Sequence, residues 1–218
     1  MITIDIGDNQ QSLKVQRTLL TNASPWFSGA LDGRFREALD RTLRFPGTSV
    51  TVVQTFIYWL FHGQLPLRDI LEDLNLSSVE LRSPSPSDVQ ALAVRLWIFG
   101  EEHIVPRLQN CAMRQLHDSS ATRYPSRQTI REAYEGSPPG SVLRRKMIRE
   151  VAAGWKSKVE KGATSAGYDA TELDSLGDVA GFLGDFAAEA AKYVAGTATA
   201  SRDRSSVDLY LLPETQDG

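Results

Sequence analysis

Between Ile2 and Gly63 the spacing of apolar residues changes from two to three and four, and that change calls for a mixed α+β unit. Ile2, Ile4 and Ile6 alternate with Thr3 and Asp5, the period of a strand with one buried face. Gly7-Asp8-Asn9 supplies a turn, and Leu13 and Val15 flank Lys14 as a second strand, so an opening hairpin is expected. Leu43 and Phe45 flank Arg44 in a third strand, ended by Pro46-Gly47. Helix punctuation separates the strands. One short helix runs to Leu20. A second starts at Ser24-Pro25, where the hydroxyl can accept a free backbone N–H and Pro fits the first helical position, and it places Trp26, Ala30 and Leu31 on one face. From Val50 the positions Val53, Ile57 and Leu60 recur at helical spacing, with Thr48 or Ser49 as cap and Gly63 as a left-handed stop.

Downstream, residues 64–86 are Leu- and acid-rich and then Ser/Pro-rich, which reads as an inserted excursion. Val89, Leu92, Leu96 and Phe99 then form a helical stripe, and Pro106 opens a helix carrying Leu108, Ala112 and Leu116. Ile148, Val151, Trp155 and Val159 form a further stripe, and Leu183, Phe186, Ala190 and Val194 another, separated by a polar, Gly-rich stretch at 162–181 that is expected to be loop. From Ala195 a mostly disordered tail is expected, with Leu209-Tyr210-Leu211-Leu212 as its one adhesive point.

Composition bounds the function. A chain of 218 residues with 41% hydrophobic and 23% charged residues can build a core of ordinary size. A net charge of −3 argues against an extended phosphate-binding surface, so no nucleic-acid partner is expected. The single cysteine, Cys111, has no internal disulfide partner, and Met1-Ile2-Thr3-Ile4-Asp5 lacks the basic and apolar regions of a signal peptide. No apolar run approaches the roughly 18 residues of a membrane span. The expectation is an intracellular chain, cytoplasmic or nuclear, without a membrane partner.

The ordered set of Leu13-Lys14-Val15, Ser24-Pro25-Trp26-Phe27, Gly33-Arg34-Phe35-Arg36-Glu37, Leu43-Arg44-Phe45 and Tyr58-Trp59-Leu60-Phe61-His62-Gly63 closely resembles the BTB/POZ domain as it occurs in fungal proteins. The segments around Leu92–Phe99 and Ile104–Asn110 are similar to the last two helices of that family, so the resemblance covers residues 1–118, with 64–86 as an insertion. A helical extension would occupy 119–194 and the tail 195–218, with Tyr134-Glu135 and Ser141-Val142-Leu143-Arg144-Arg145 similar to the segment that follows the domain in many members. The resemblance implies an α+β fold, a short-stranded sheet with a cluster of helices, and a role in protein–protein interaction.

No catalytic, cofactor or metal site is expected. His62, His103 and His117 stand far apart with no His or Cys at ligand spacing, and neither a Gly-x-Ser-x-Gly elbow nor a phosphate loop is present. Arg144, Arg145, Lys146, Arg149, Lys156, Lys158 and Lys161 form the one basic cluster; it lacks interleaved aromatics and reads as a solvated helix face rather than a nucleic-acid patch. The resemblance gives Phe35-Arg36-Glu37 a further meaning. It matches the hydrophobic-x-Glu triplet that helps BTB adaptors hold the cullin scaffold of a ubiquitin ligase, which makes Phe35 and Glu37 the candidate partner-binding residues and a cullin N-terminal domain the candidate partner. The competing reading packs Phe35 under its own domain and leaves Glu37 solvated. A self-assembling regulatory or scaffold module without a ligase role is the alternative function, and a nucleic-acid-linked regulator acting through the 144–161 cluster ranks behind both. BTB dimers commonly use a helix before the first strand, and Ile2-Thr3 stand there instead, so weak or no homodimerisation is expected, through Ile2 and Ile4 on an edge strand and through Arg17 and Leu20 on the following helix.

Overall fold

The computed structural model describes residues 1–6, 11–33, 35–75, 83–162, 164–195 and 206–214. Among them the chain is mixed α+β, a three-stranded sheet accompanied by eleven α-helices. The sheet has the order β2-β1-β3: β1 (Ile2–Ile6) is antiparallel to β2 (Gln11–Val15) and parallel to β3 (Thr42–Arg44), with Ile4 opposite both Leu13 and Leu43. The alternation places Ile2, Ile4 and Ile6 on the core side, where Val15 and Leu43 join them, whereas Leu13 is exposed. The turn expected at Gly7-Asp8-Asn9 lies outside the described residues. A parallel pair needs a crossover, and α1 (Arg17–Ala23), α2 (Pro25–Ala30) and α3 (Arg36–Asp40) lie on the chain between β2 and β3.

Ser24 caps α2 as its sequence predicts, its Oγ accepting from the Trp26 N–H at 2.9 Å, and it also donates to the His103 carbonyl at 2.5 Å. One hydroxyl thus starts a helix and ties it to a turn almost eighty residues away. The residue that α2 sends inward is Phe27; Leu31 is buried beside it, and Trp26 is only half-buried. In α4 (Val50–His62), Ser49 is the cap and Gly63, at φ 68°, is the stop, as expected. Its buried face is Val52, Val53, Phe56 and Trp59, with Ile57 and Leu60 half-buried, because α1 and the two helices that follow, Leu67–Asn75 and Pro86–Glu102, approach it from different sides.

Part of the expected excursion is packed helix. Leu65 and, in α5 (Leu67–Asn75), Leu67 and Ile70 are buried; residues 76–82 lie outside the described ones. α6 (Pro86–Glu102) begins with a capping box between Ser85 and Asp88. It buries the stripe Val89, Leu92, Leu96 and Phe99 and also Ala93, Val94 and Trp97, so it is covered on several faces, by α4, α5, α7 and α8. α7 (Pro106–Ser120) returns antiparallel and buries Leu108, Ala112 and Leu116. The turn between them is tight: the Val105 N–H reaches the Gly100 carbonyl at 2.7 Å, and Ile104 takes a left-handed φ of 53°, a strained conformation for a β-branched residue.

α8 (Arg127–Glu135), α9 (Val142–Lys161), α10 (Ala170–Asp174) and α11 (Phe182–Val194) complete the helices. On α9, Ile148 and Val151 are buried, Trp155 is half-buried and Val159 is exposed; the inward face is extended instead by Leu143 and Met147. On α11 the expected stripe is out of phase by one residue: Phe182 and Tyr193 are buried, Phe186 is half-buried, and Leu183 and Val194 face out. The stretch 162–181 is likewise more than loop. α10 begins on its own capping box, Asp169 with Glu172, and Tyr168, Leu173, Leu176 and Val179 are buried. The Tyr168 hydroxyl donates to the Pro125 carbonyl at 2.5 Å. Beyond the undescribed residues 196–205, a 3₁₀ turn (Val207–Tyr210) brings Tyr210 back into the core, so the adhesive point of the tail is a packed one. A single apolar cluster runs from Ile2 to Tyr210.

The core assignment predicts unequal costs for equal chemistry. Phe27→Ala should lower unfolding free energy by about 3–5 kcal/mol, and Val159→Ala should stay within about 0.5 kcal/mol of wild type. Urea denaturation of the two variants checks this, and a Phe27→Ala loss no larger than that of Val159→Ala would contradict the placement.

Candidate protein-interaction site

After Leu31 the chain leaves the core. Asp32 and Gly33 (φ 54°) form a turn, pinned from α1 by Arg17, whose Nη2 donates to the Leu31 carbonyl at 2.8 Å and pairs with Asp32 at 3.2 Å. Phe35 then takes the N-cap position of α3 in extended conformation, with no side-chain cap, and its carbonyl accepts from the Ala38 and Leu39 N–H groups. α3 has no buried residue, and Arg41 ends it in the left-handed region at φ 49°. Phe35 is 58% exposed and Leu39 is 74% exposed. Phe35 therefore does not pack under its own domain. Glu37 is exposed in the first turn, where a carboxylate complements the helix dipole. Within α3, positions two apart point to nearly opposite sides, so Glu37 and Leu39 flank the helix rather than share a face. The sequence reading singled out Phe35 and Glu37 and missed Leu39; an apolar residue four positions after the Phe was the available signal.

The self-association residues need correction. β1 is the central strand, paired on both sides, so Ile2 and Ile4 are not on an edge; both are buried, and Leu20 is fully buried as well. Of the four, Arg17 alone is exposed, and it is engaged with Leu31 and Asp32. Among the described residues the sheet's edges are β2 and the short β3.

The basic cluster also changes meaning. Arg144 is buried, donates to the Tyr134 and Ser137 carbonyls, and lies 4.9 Å from the Tyr134 ring centroid. Lys146, 3% exposed, reaches Glu150 at 2.5 Å. Arg149 donates to the Tyr210 hydroxyl at 3.1 Å, and Lys156 lies 5.5 Å from the Tyr193 ring. These four cations hold α8, α11 and the tail against α9 and are neither a solvated face nor an open phosphate-binding patch. Arg145 and Lys161 remain exposed.

A cleft of about 470 Å³ opens where α4, α6 and α8 meet, lined by Ser49, Phe99, Glu102 and Glu135 and crossed by a two-bond pair from Arg95 to Glu132, both at 2.8 Å. The hydrogen bond from Arg95 holds the Glu132 carboxyl below its ordinary pKa against the opposing effect of burial. Among the described residues no group of three or more His, Cys, Asp or Glu side chains is placed to hold a metal ion, and no helix is long and apolar enough to cross a membrane. The three histidines occupy separate places. His62 stacks on Tyr58, His117 neighbours Lys146, and His103 is buried among Trp26, Phe27, Phe45 and Phe99, with Nδ1 2.8 Å from the Phe99 carbonyl.

No family model and no curated protein matches this chain. The BTB/POZ reading therefore rests on the sequence pattern itself.

His103 generates a pH prediction. Burial pushes its pKa below the ordinary 6.5, which outweighs the hydrogen bond that the ring donates to the Phe99 carbonyl. The unfolded chain then binds the proton first as pH falls, so the contribution of His103 to stability is present above about 6.5 and declines as pH drops from there toward the folded-state value. His117, lowered by burial and by Lys146, adds in the same direction. Unfolding free energy should fall from pH 7 to pH 5, and His103→Phe should flatten that slope, as measured by urea titrations at each pH.

Proposed function

We propose that this chain is a non-catalytic protein–protein interaction module of the BTB/POZ type, and that α3 with the preceding Phe35 docks a partner protein, a cullin N-terminal domain in the most concrete form. The carrying observation is a five-residue helix with no buried residue that presents Phe35 and Leu39 to solvent on a segment pinned by Arg17. Isolated exposed apolar residues are ordinary on a protein surface. Here two of them stand four positions apart on one short exposed segment, with the Glu37 carboxylate between them in sequence, at the place where the sequence pattern resembles the adaptor triplet. Such an aromatic side chain gains most of its binding energy by filling a partner's pocket, and a rim carboxylate adds less because it stays partly hydrated. In this reading the rest of the fold is a rigid mount: Ser24, Arg17 and the αL residue Arg41 fix where α3 leaves and re-enters the sheet layer.

Titration calorimetry with cullin N-terminal domains tests the assignment. Phe35→Ala should weaken binding by about 2 kcal/mol, roughly thirtyfold in Kd; Leu39→Ala should weaken it to a similar degree and Glu37→Ala by less. No heat with any cullin domain, for a sample whose unfolding is cooperative, would overturn the cullin assignment.

A further inference from the structure

The C-terminal strap shows how this fold grips a peptide. Asn110 on α7, 2% exposed, uses both ends of its amide on one residue of the strap: Oδ1 accepts the Leu212 N–H at 2.7 Å, and Nδ2 donates to the Leu212 carbonyl at 2.9 Å and to Glu214 Oε1 at 2.9 Å. Recognition of this kind reads main chain and is indifferent to the side chain at that position. Two residues earlier, Tyr210 is 4% exposed; its hydroxyl accepts from Arg149 at 3.1 Å and its ring lies 5.5 Å from Lys146 Nζ. Lys146 is itself fixed by Glu150 and by His117, 3.3 Å away. Val207 and Leu211 pack on the core, whereas Leu209 is 60% exposed. The groove between α7 and α9 thus selects a tyrosine, apolar residues three before and one after it, and a free peptide group two after it.

A buried amide, a buried lysine and a half-exposed arginine arranged in this way are satisfied by any segment that meets that pattern. The strap that satisfies them is short and, among the described residues, contributes a 3₁₀ turn and no strand or α-helix to the fold. We propose that the α7–α9 groove is a docking site for a tyrosine-containing segment of a partner protein, and that residues 207–212 occupy it in cis as an exchangeable plug. Tethering presents the plug at an effective concentration on the order of millimolar, so a partner segment of micromolar affinity enters only when the plug is weakened or the partner is otherwise held near. The inference deepens the interaction-module reading by giving the client segment a site separate from α3.

The test uses the full-length chain carrying Leu212→Pro, which removes the N–H that Asn110 reads, and a fluorescein-labelled peptide of residues 206–214 as probe. Fluorescence anisotropy should show binding in the micromolar range to Leu212→Pro and at least about tenfold weaker binding to wild type. Adding Asn110→Ala to the released chain, or replacing the peptide's tyrosine with alanine, should weaken binding at least tenfold. Equal binding to wild-type and released chains, no binding to a cooperatively folded released chain, or indifference to Asn110 and to the tyrosine would each overturn the proposal. Tyr210→Ala serves as a second release variant, and if both variants unfold the strap is part of the core and the proposal fails. No cullin enters the assay, so peptide capture without cullin binding, or the reverse, separates this inference from the α3 assignment.

Discussion

The pairing of α6 with α7 is the contact on which the rest of the molecule depends. At one end Gly100 lets the helices close: a β-carbon there would sit 2.7 Å from the Gln109 side chain. At the other, the buried Gln90 donates to the Arg123 carbonyl at 2.7 Å just past α7. Between these points Leu92, Leu96 and Phe99 are excluded from water, each contributing on the order of 1.5–3 kcal/mol by burial. With α7 on one side, α6 takes α4 and α5 on others, and α8 carries the C-terminal helices to it. The left-handed Ile104 and the aromatic cage around His103 sit at the turn of this hairpin, where the hydroxyl of Ser24 also attaches the crossover that leads to α3. Strain, aromatic packing and the mount of the exposed helix meet at one turn.

Charge does a different job in the second half of the chain. Arg144 and Lys146 are buried, so each has to find partners there or leave a costly uncompensated charge. Arg144 finds main-chain carbonyls and a tyrosine face, and Lys146 a carboxylate. The outcome is a helical layer fastened by cations, with the tail's Tyr210 as one of the groups they engage.

What the sequence disclosed follows from how local each signal is. Caps and stops at Ser24-Pro25, Ser49 and Gly63 depend on neighbouring atoms, and they were legible, as was the alternation in β1. Helix faces were less so. A helix covered on several sides, such as α4 or α6, has no single stripe, which is why Val52, Phe56 and Trp97 escaped a reading of one face per helix. α11 shifted by one position because Phe182 turns under Tyr134 at the helix start. α10 was hidden by the Gly-rich composition around it, although Asp169-x-x-Glu172 is a capping-box signal that would have found it. The position of β1 in the sheet was not legible at all, since β3 arrives beside it from forty residues away and turns an expected edge into a centre. The same long-range dependence concealed the partners of Arg144, Lys146 and Arg149. Phe35 and Glu37 were singled out by resemblance, but whether they pack inward or stand exposed is a property of the fold.

The central claim is that the sheet layer and the C-terminal helices share one core organised by α6. Native-state hydrogen exchange across a denaturant series tests it most directly. If the claim is right, the slowest amides of β1, α6, α7 and the buried half of α9 exchange with one common free energy, within about 1 kcal/mol of global unfolding. Exchange of α9 several kcal/mol below α6 would show that the C-terminal helices open independently, and would contradict a shared core.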